Sequence, residues 1–199
     1  MPRPLTEQEK CAQCQRLLEK GKEAVISHGI RKVSVDDITK AAGMAKGSFY
    51  QHFESKEKYL YALLEKLHRE TFTKAKQIIF EGISDKHNLQ ANARDFLKKL
   101  FLLPEMVFFI QNERDIIALF ETISNQEIQS FKQMEAELFS GLLRLAGVDT
   151  EKVKPGVVHN YVHVMFLTKV SDLMTEEDLP QTLDLLMDSL MAYIFGGAL

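Results

Sequence analysis

Apolar residues return every three to four positions along almost the whole chain, and no Val/Ile/Thr-rich run alternates long enough to make a strand. Glycine and proline are scarce, so the pattern predicts an all-α protein. A first helix is expected over about residues 6–27, with Leu17, Leu18, Ala24 and Val25 on one side and Gly29 suited to a left-handed cap. Ser34 stands three residues before Asp37, the spacing of a capping box, and opens a short helix whose inward side is Ile38, Ala41 and Ala42. Gly43 ends it, and a second short helix is expected over 46–53. Ser55 then caps a long helix in which Leu60, Leu63, Leu64, Leu67, Thr71, Ala75, Ile78 and Ile79 keep one face apolar to about Gly82. The remainder predicts helices over about 88–103, 104–112, 114–123, 125–146, 155–174 and 180–195, with Pro104 and Pro155 where helices start.

A length of 199 residues suits one large domain or a small domain fused to a larger one, and a change of role is expected near residue 54, giving domains 1–54 and 55–199. The hydrophobic share of 45% and charged share of 27% are those of a globular chain, not a disordered one. The formal net charge is −3, yet residues 1–60 carry an excess of basic side chains and residues 61–199 an excess of acidic ones. A basic head on an acidic body permits nucleic-acid binding by the head. The two cysteines, Cys11 and Cys14, are too few for a disulfide framework and suit a reducing compartment. The N-terminus has no apolar core of a signal peptide, and the longest apolar stretch, Leu100 to Ile110, is broken by Pro104 and Glu105. A soluble, cytoplasmic protein without a membrane span is expected.

The segment from Ser34 to Lys56, SVDDITKAAGMAKGSFYQHFESK, carries the chemistry. Two short helices meeting at a glycine are the arrangement of a DNA-binding helix-turn-helix. Gly43 supplies the residue that tolerates positive φ. In the second helix Phe49 and Phe53, at i and i+4, are inward anchors, which leaves Lys46, Gly47, Ser48, Tyr50 and Gln51 facing out. Lys46 can donate to guanine O6 and N7, Ser48 can bond either way, and Gly47 lets the backbone come close.

The stretch GMAKGSFYQHFESKEKYL, with ISHGIRKVSVDDITKAAG upstream, resembles the signature of the tetracycline-repressor (TetR) family of bacterial regulators. The close resemblance covers roughly residues 15–64; beyond it only length and helical character agree. It implies an N-terminal three-helix DNA-binding domain and a C-terminal helical domain for ligand binding and dimerisation. It further implies base contacts from Lys46, Gly47 and Ser48, with Gln51 a further candidate, and phosphate contacts from Ser34, Tyr50, His52 and Lys56. The helices at about 155–174 and 180–195 have large apolar faces: Val158, Tyr161, Val162, Met165, Phe166 and Val170 on one, Leu183, Leu186, Met187, Leu190, Met191 and Ile194 on the other. They fit the homodimer interface of that family. The function implied is a transcriptional regulator, a repressor released from a palindromic operator when a small-molecule effector binds. The long helix from Ser55 to Gly82 is the natural lever between the two sites.

The other candidates are blander. Phe101, Met106, Phe109 and Phe120 are aromatic or flexible apolar groups that suit a hydrophobic ligand, and His163 suits a polar contact in the same pocket. His159 and His163 have a spacing that can share a metal, but neighbouring Tyr161, Val162, Val164 and Met165 read as packing. Cys11-x-x-Cys14 lacks a second pair to complete a zinc site, and incidental thiols are favoured over a redox role. No metal and no cofactor is expected. No nucleophile motif, Gly-rich phosphate loop or carboxylate/histidine cluster points to an enzyme. The alternative function is a small-molecule binding or interaction protein whose helix-turn-helix is vestigial. The sequence names neither effector nor operator, and leaves repressor and activator both open.

Overall fold

A computed structural model describes residues 6–82, 89–170 and 174–196. Regular structure in these residues is helical throughout: α1 (Glu7–His28), α2 (Val35–Ala42), α3 (Lys46–Tyr50), α4 (Lys56–Gly82), α5 (Leu89–Phe101), α6 (Pro104–Gln111), α7 (Glu113–Phe120), α8 (Asn125–Leu145), α9 (Pro155–Val170) and α10 (Leu179–Phe195). The chain divides into two compact units. One runs to Leu67 and also takes in Asn112–Ile128; the other is His68–Gln111 with Gln129–Leu199. The role change expected near residue 54 and the packing division at Leu67 are thus different boundaries, because the first turns of α4 build the first unit's core.

In the first unit local sequence sets each helix end. Thr6 caps α1 in a reciprocal box with Glu9, satisfying backbone donors that the helix itself leaves free. Ser34 and Asp37 do the same for α2, and Gly43 closes it at φ 61°. Ser55 Oγ accepts from the Lys58 amide at the head of α4. Helix α3 is shorter than the sequence suggests. It stops at Tyr50, and the His52 and Phe53 amides donate back to the Phe49 carbonyl in a turn.

The core of this unit is Leu17, Val25, Ile30, Val33, Ile38, Phe49, Tyr59 and Leu63, all nearly inaccessible. The rings of Phe49, Phe53 and Tyr59 lie 5.2–5.6 Å apart in tilted and edge-on pairs. The Tyr59 hydroxyl donates to the Leu17 carbonyl at 3.0 Å, so the one polar group in the cluster is satisfied. That hydroxyl sits where α1 comes closest: a Cβ on Gly21 would fall on it and 2.8 Å from Ile38 Cγ2. One expectation fails here. Ala41 is exposed, and the inward side of α2 is Ile38, Thr39 and Ala42. Position 39 lies three residues before Ala42 and so borders the same inward side, and its hydroxyl disposes of its polarity by donating to the Val35 carbonyl at 2.9 Å.

The segment 112–128 belongs to this unit through a polar hub. Ser124 and Glu127 form a further capping box at the start of α8. The Glu127 carboxylate accepts from Lys58 Nζ at 2.6 Å, and its main-chain carbonyl accepts from the Tyr61 hydroxyl. The Lys58 ammonium and the Ser124 hydroxyl hold the Glu127 carboxyl down to about 2.

The second unit packs the rest of α4, α5, α6, α9, α10 and most of α8 around Leu97, Leu100, Leu142, Met165, Leu190 and Met191. The apolar faces expected to form a dimer interface are largely consumed inside the chain. Val158, Val162, Met165, Met187, Leu190 and Met191 are buried in this core. Each of these two helices has a second apolar stripe, because small and apolar residues surround it. Among the described residues of these helices, Val164 and Leu167 on α9 and Leu185 and Tyr193 on α10 are the large apolar ones left exposed. Helix α9 ends at Val170, and residues 171–173 of the expected helix lie outside the described ones.

Candidate nucleic-acid interface

Helices α2 and α3 meet at Gly43, whose left-handed backbone costs a glycine nothing. The chain then extends through Ala45 into α3, which lacks a side-chain cap at its start. Phe49 is fully buried and Phe53 nearly so, and they fix the helix against α4. The consequence is a divided surface. Lys46, Gly47, Tyr50 and Gln51 are exposed and Ser48 half-buried. Tyr50 keeps 53% of its surface in solvent, with its ring edge-on to Phe49 at 5.3 Å.

The cations are partly engaged. Lys46 Nζ lies 3.0 Å from the Asp36 carboxylate of α2, and the bond to Asp36 raises its pKa. Both partners are more than half exposed, so the pair adds little stability but parks the ammonium beside the start of α3. Lys56 Nζ donates to the carbonyls of Arg31 and Val33, at 3.3 and 3.2 Å. It thereby clamps the loop before α2, and an ammonium has a third N–H to offer. His52 Nε2 is 3.1 Å from Gln13 Oε1 of α1. Partial burial, then the charge of Lys10, lowers its pKa. Ser34, exposed at the head of α2, shares its hydroxyl with Asp37, whose carboxyl that bond holds below the usual range.

Of the residues expected to contact DNA, Lys46, Gly47, Ser48, Tyr50 and Gln51 come from α3 and its C-terminal turn, and Ser34 heads α2. Lys56 and His52 serve first as ties within the unit. Asp36, Gln13 and Tyr59 were not singled out from sequence. Asp36 and Gln13 had no local signal, since each finds its partner across helices. Cys11 is exposed and Cys14 half-buried on α1, where burial and then the neighbouring Cys11 raise the Cys14 thiol. A raised thiol is a poor nucleophile.

Of the residues expected around an effector, Phe101, Met106 and Phe109 belong to or pack against one core in the second unit. Phe101 and Met106 are core residues of the second unit, Phe101 lying 4.6 Å from Phe166. Phe109 packs on His68 at 4.3 Å. His163 is exposed on α9, 5.5 Å from the His159 ring, and Phe120 falls in the first unit. Sequence reading missed a polar cluster in the second unit. Glu135 Oε1 lies 3.3 Å from His68 Nε2 and 3.4 Å from His159 Nε2. Burial opposes ionisation of Glu135, but hydrogen bonds from His159 and His68 outweigh it and hold the carboxyl well below the usual range. The same bond raises His159. Among the described residues no group of three or more His, Cys, Asp or Glu is arranged to hold a metal ion. No helix among them is long and apolar enough to cross a membrane.

Residues 17–63 match the family model described as bacterial regulatory proteins, tetR family. The HTH-type transcriptional repressor DhaR of Mycobacterium sp. (strain GP1) is 51% identical over 45 residues, 23% of this chain and 23% of that protein. The uncharacterized HTH-type regulator YvdT of Bacillus subtilis (strain 168) is 30% identical over 106 residues, 53% of this chain and 49% of its own. The match thus spans between about a quarter and a half of these curated relatives. Two solved structures share the fold along nearly the full chain. A putative TetR-family regulator from Mesorhizobium loti has a TM-score of 0.56 at 16% identity, covering 94% of this chain and 98% of its own. FadR of Bacillus subtilis, solved with stearoyl-CoA, has a TM-score of 0.54 at 19% identity, covering 93% and 99%. Residues 17–63, which hold α2 and α3, thus carry the motif of the tetR family of bacterial regulatory proteins, and along the rest of the chain the likeness to the solved structures is one of fold.

Proposed function

We propose that this protein is a sequence-specific transcriptional regulator, a repressor whose hold on a palindromic operator is released by a small molecule. The observation that carries the reading is the divided surface of α3, with Phe49 and Phe53 buried behind it and Lys46, Gly47, Tyr50 and Gln51 exposed in front. Lys46, Gly47 and Ser48 read base edges; Ser34, Tyr50, His52 and Lys56 contact phosphates, which fix register without carrying sequence information.

Two copies pair through α9 and α10, where Val164, Leu167, Leu185 and Tyr193 offer the exposed apolar surface. Recognition helices then sit roughly one turn of DNA apart, about 34–36 Å, or a little more. The effector binds in the helical part that begins at α4. It acts by favouring the DNA-incompetent form of the dimer, since a ligand shifts an equilibrium only by its difference in affinity for the two states. Helix α4 is one route for that coupling, and the Lys58–Glu127 hub is a second, because 112–128 packs with the first unit while the chain on either side belongs to the other.

The test is selection of genomic DNA fragments by the purified protein. A shared palindrome is the expected result. Fragments without a common sequence, bound only as steeply as salt dictates, would overturn the reading and favour a carrier with a vestigial helix-turn-helix.

A further inference from the structure

The second unit has a partly open cavity of about 100 Å³ between α4, α5, α8, α9 and α10. Ile79, Phe96, Leu143, Val162 and Met191 stand in its wall. None of the residues singled out from the sequence for an effector lines it. Among the described lining residues only Asn92 and Asp95 are polar, and none is a lysine, arginine or histidine. Asp95 is exposed and its carboxylate lies 2.7 Å from Lys99 Nζ, so the edge presents a neutralised pair.

We propose that this cavity receives the effector, and that the part it receives is uncharged and hydrophobic: a small ring or short branched alkyl group, not a carboxylate or a phosphate ester. The proposal rests on the reading of the protein as a ligand-responsive regulator. Close-packed cores leave few voids larger than a water molecule, so a space of this size is a departure from ordinary packing. Water gains little there, because an ordered water needs two to four polar partners and the wall supplies them only at one edge. An apolar cavity of about 150 Å³ stays dry and takes benzene or xenon, which sets the scale for a space two-thirds as large. An anion entering it would give up its hydration without finding a cation or a donor-lined wall in exchange.

The experiment uses the full chain with ¹³C-methyl-labelled methionine and three probes of one skeleton: toluene, benzoate and benzylamine. Met191 lines the cavity and is wholly buried, so its methyl signal reports occupancy. Toluene is expected to shift that signal and to bind at least about tenfold more tightly than benzoate. Ala93→Phe, which fills the space from α5, is expected to abolish the shift. Should that variant fail to fold, Ala146→Leu is the smaller filling and is expected to weaken toluene binding. No shift of Met191 with toluene, or benzoate binding as tightly, overturns the proposal. Operator binding by the unliganded protein is measured alongside. Its absence would strike the regulator reading and leave the cavity's preference standing.

Discussion

The two units solve the same packing problem with different tolerance for defects. The first is built around one dense aromatic cluster, closed by a buried hydroxyl with a partner and by a glycine that lets α1 approach. The second keeps a cavity and seats an ionic group, Glu135 with His68 and His159, among phenylalanine rings. Burying charged groups costs desolvation that their mutual attraction often only balances, so such a cluster is weak evidence of strength. The difference matches the roles proposed. A DNA-reading surface needs a fixed scaffold, whereas a ligand-binding unit draws on the less stable, more adaptable end of the structure.

That contrast can be broken in order of expected effect. Phe49→Ala removes a fully buried ring from the first cluster and should cost about 3–5 kcal/mol, read as a lower denaturant midpoint. A loss below about 1 kcal/mol would mean the cluster is not the keystone. Gly21→Ala gains roughly 1 kcal/mol of helix propensity but forces a methyl against Tyr59 and Ile38, for a net loss of about 2 kcal/mol. Neutral or stabilising behaviour would show that α1 and α4 can shift apart. Lys46→Ala should leave the midpoint within about 0.5 kcal/mol while weakening operator affinity by roughly tenfold, with less discrimination at one base position. Equal weakening on every sequence would reassign Lys46 to a phosphate.

The smallest effect concerns pH. His159 gains a carboxylate partner on folding, and its pKa rises above the ordinary 6.5. The folded state therefore holds that proton more tightly. The resulting stability is present in full below about pH 6.5 and lost as pH rises through the higher folded value. Glu135 runs the opposite way: its contribution is present above the ordinary carboxylate range and fades only as pH falls far below it. Unfolding midpoints of the wild type should thus drop as pH rises above about 6.5, and those of His159→Gln should drop less. Parallel curves would mean the Glu135–His159 contact adds nothing net.

Most of the first unit was legible in order along the chain. Ser34-x-x-Asp37, Gly43, and Phe49 with Phe53 are signals confined to a few residues, and each occupies the place its chemistry requires. Thr6-x-x-Glu9 and Ser124-x-x-Glu127 carried the same signal and could have been found by the same rule. The error at Ala41 shows the limit of that rule. A short helix has too few turns to fix its inward face by composition, and a threonine that bonds its own backbone can outcompete an alanine for the inside.

The sequence by itself determined what depends on neighbours within a turn or two: helix positions, caps, the glycine turn and the family motif. Only the tertiary structure decided what depends on partners far apart in the chain. It brought Tyr59 to Leu17, Glu127 to Lys58 and Glu135 to both His68 and His159. It also spent one apolar face of α9 and α10 inside the chain and left the other outside, and it lined the cavity with residues other than the aromatic ones that composition had favoured. The physical reason is that an amphipathic pattern states how much surface a helix must bury. Against which helix it is buried, and what space remains, is fixed only by how all the faces pack together.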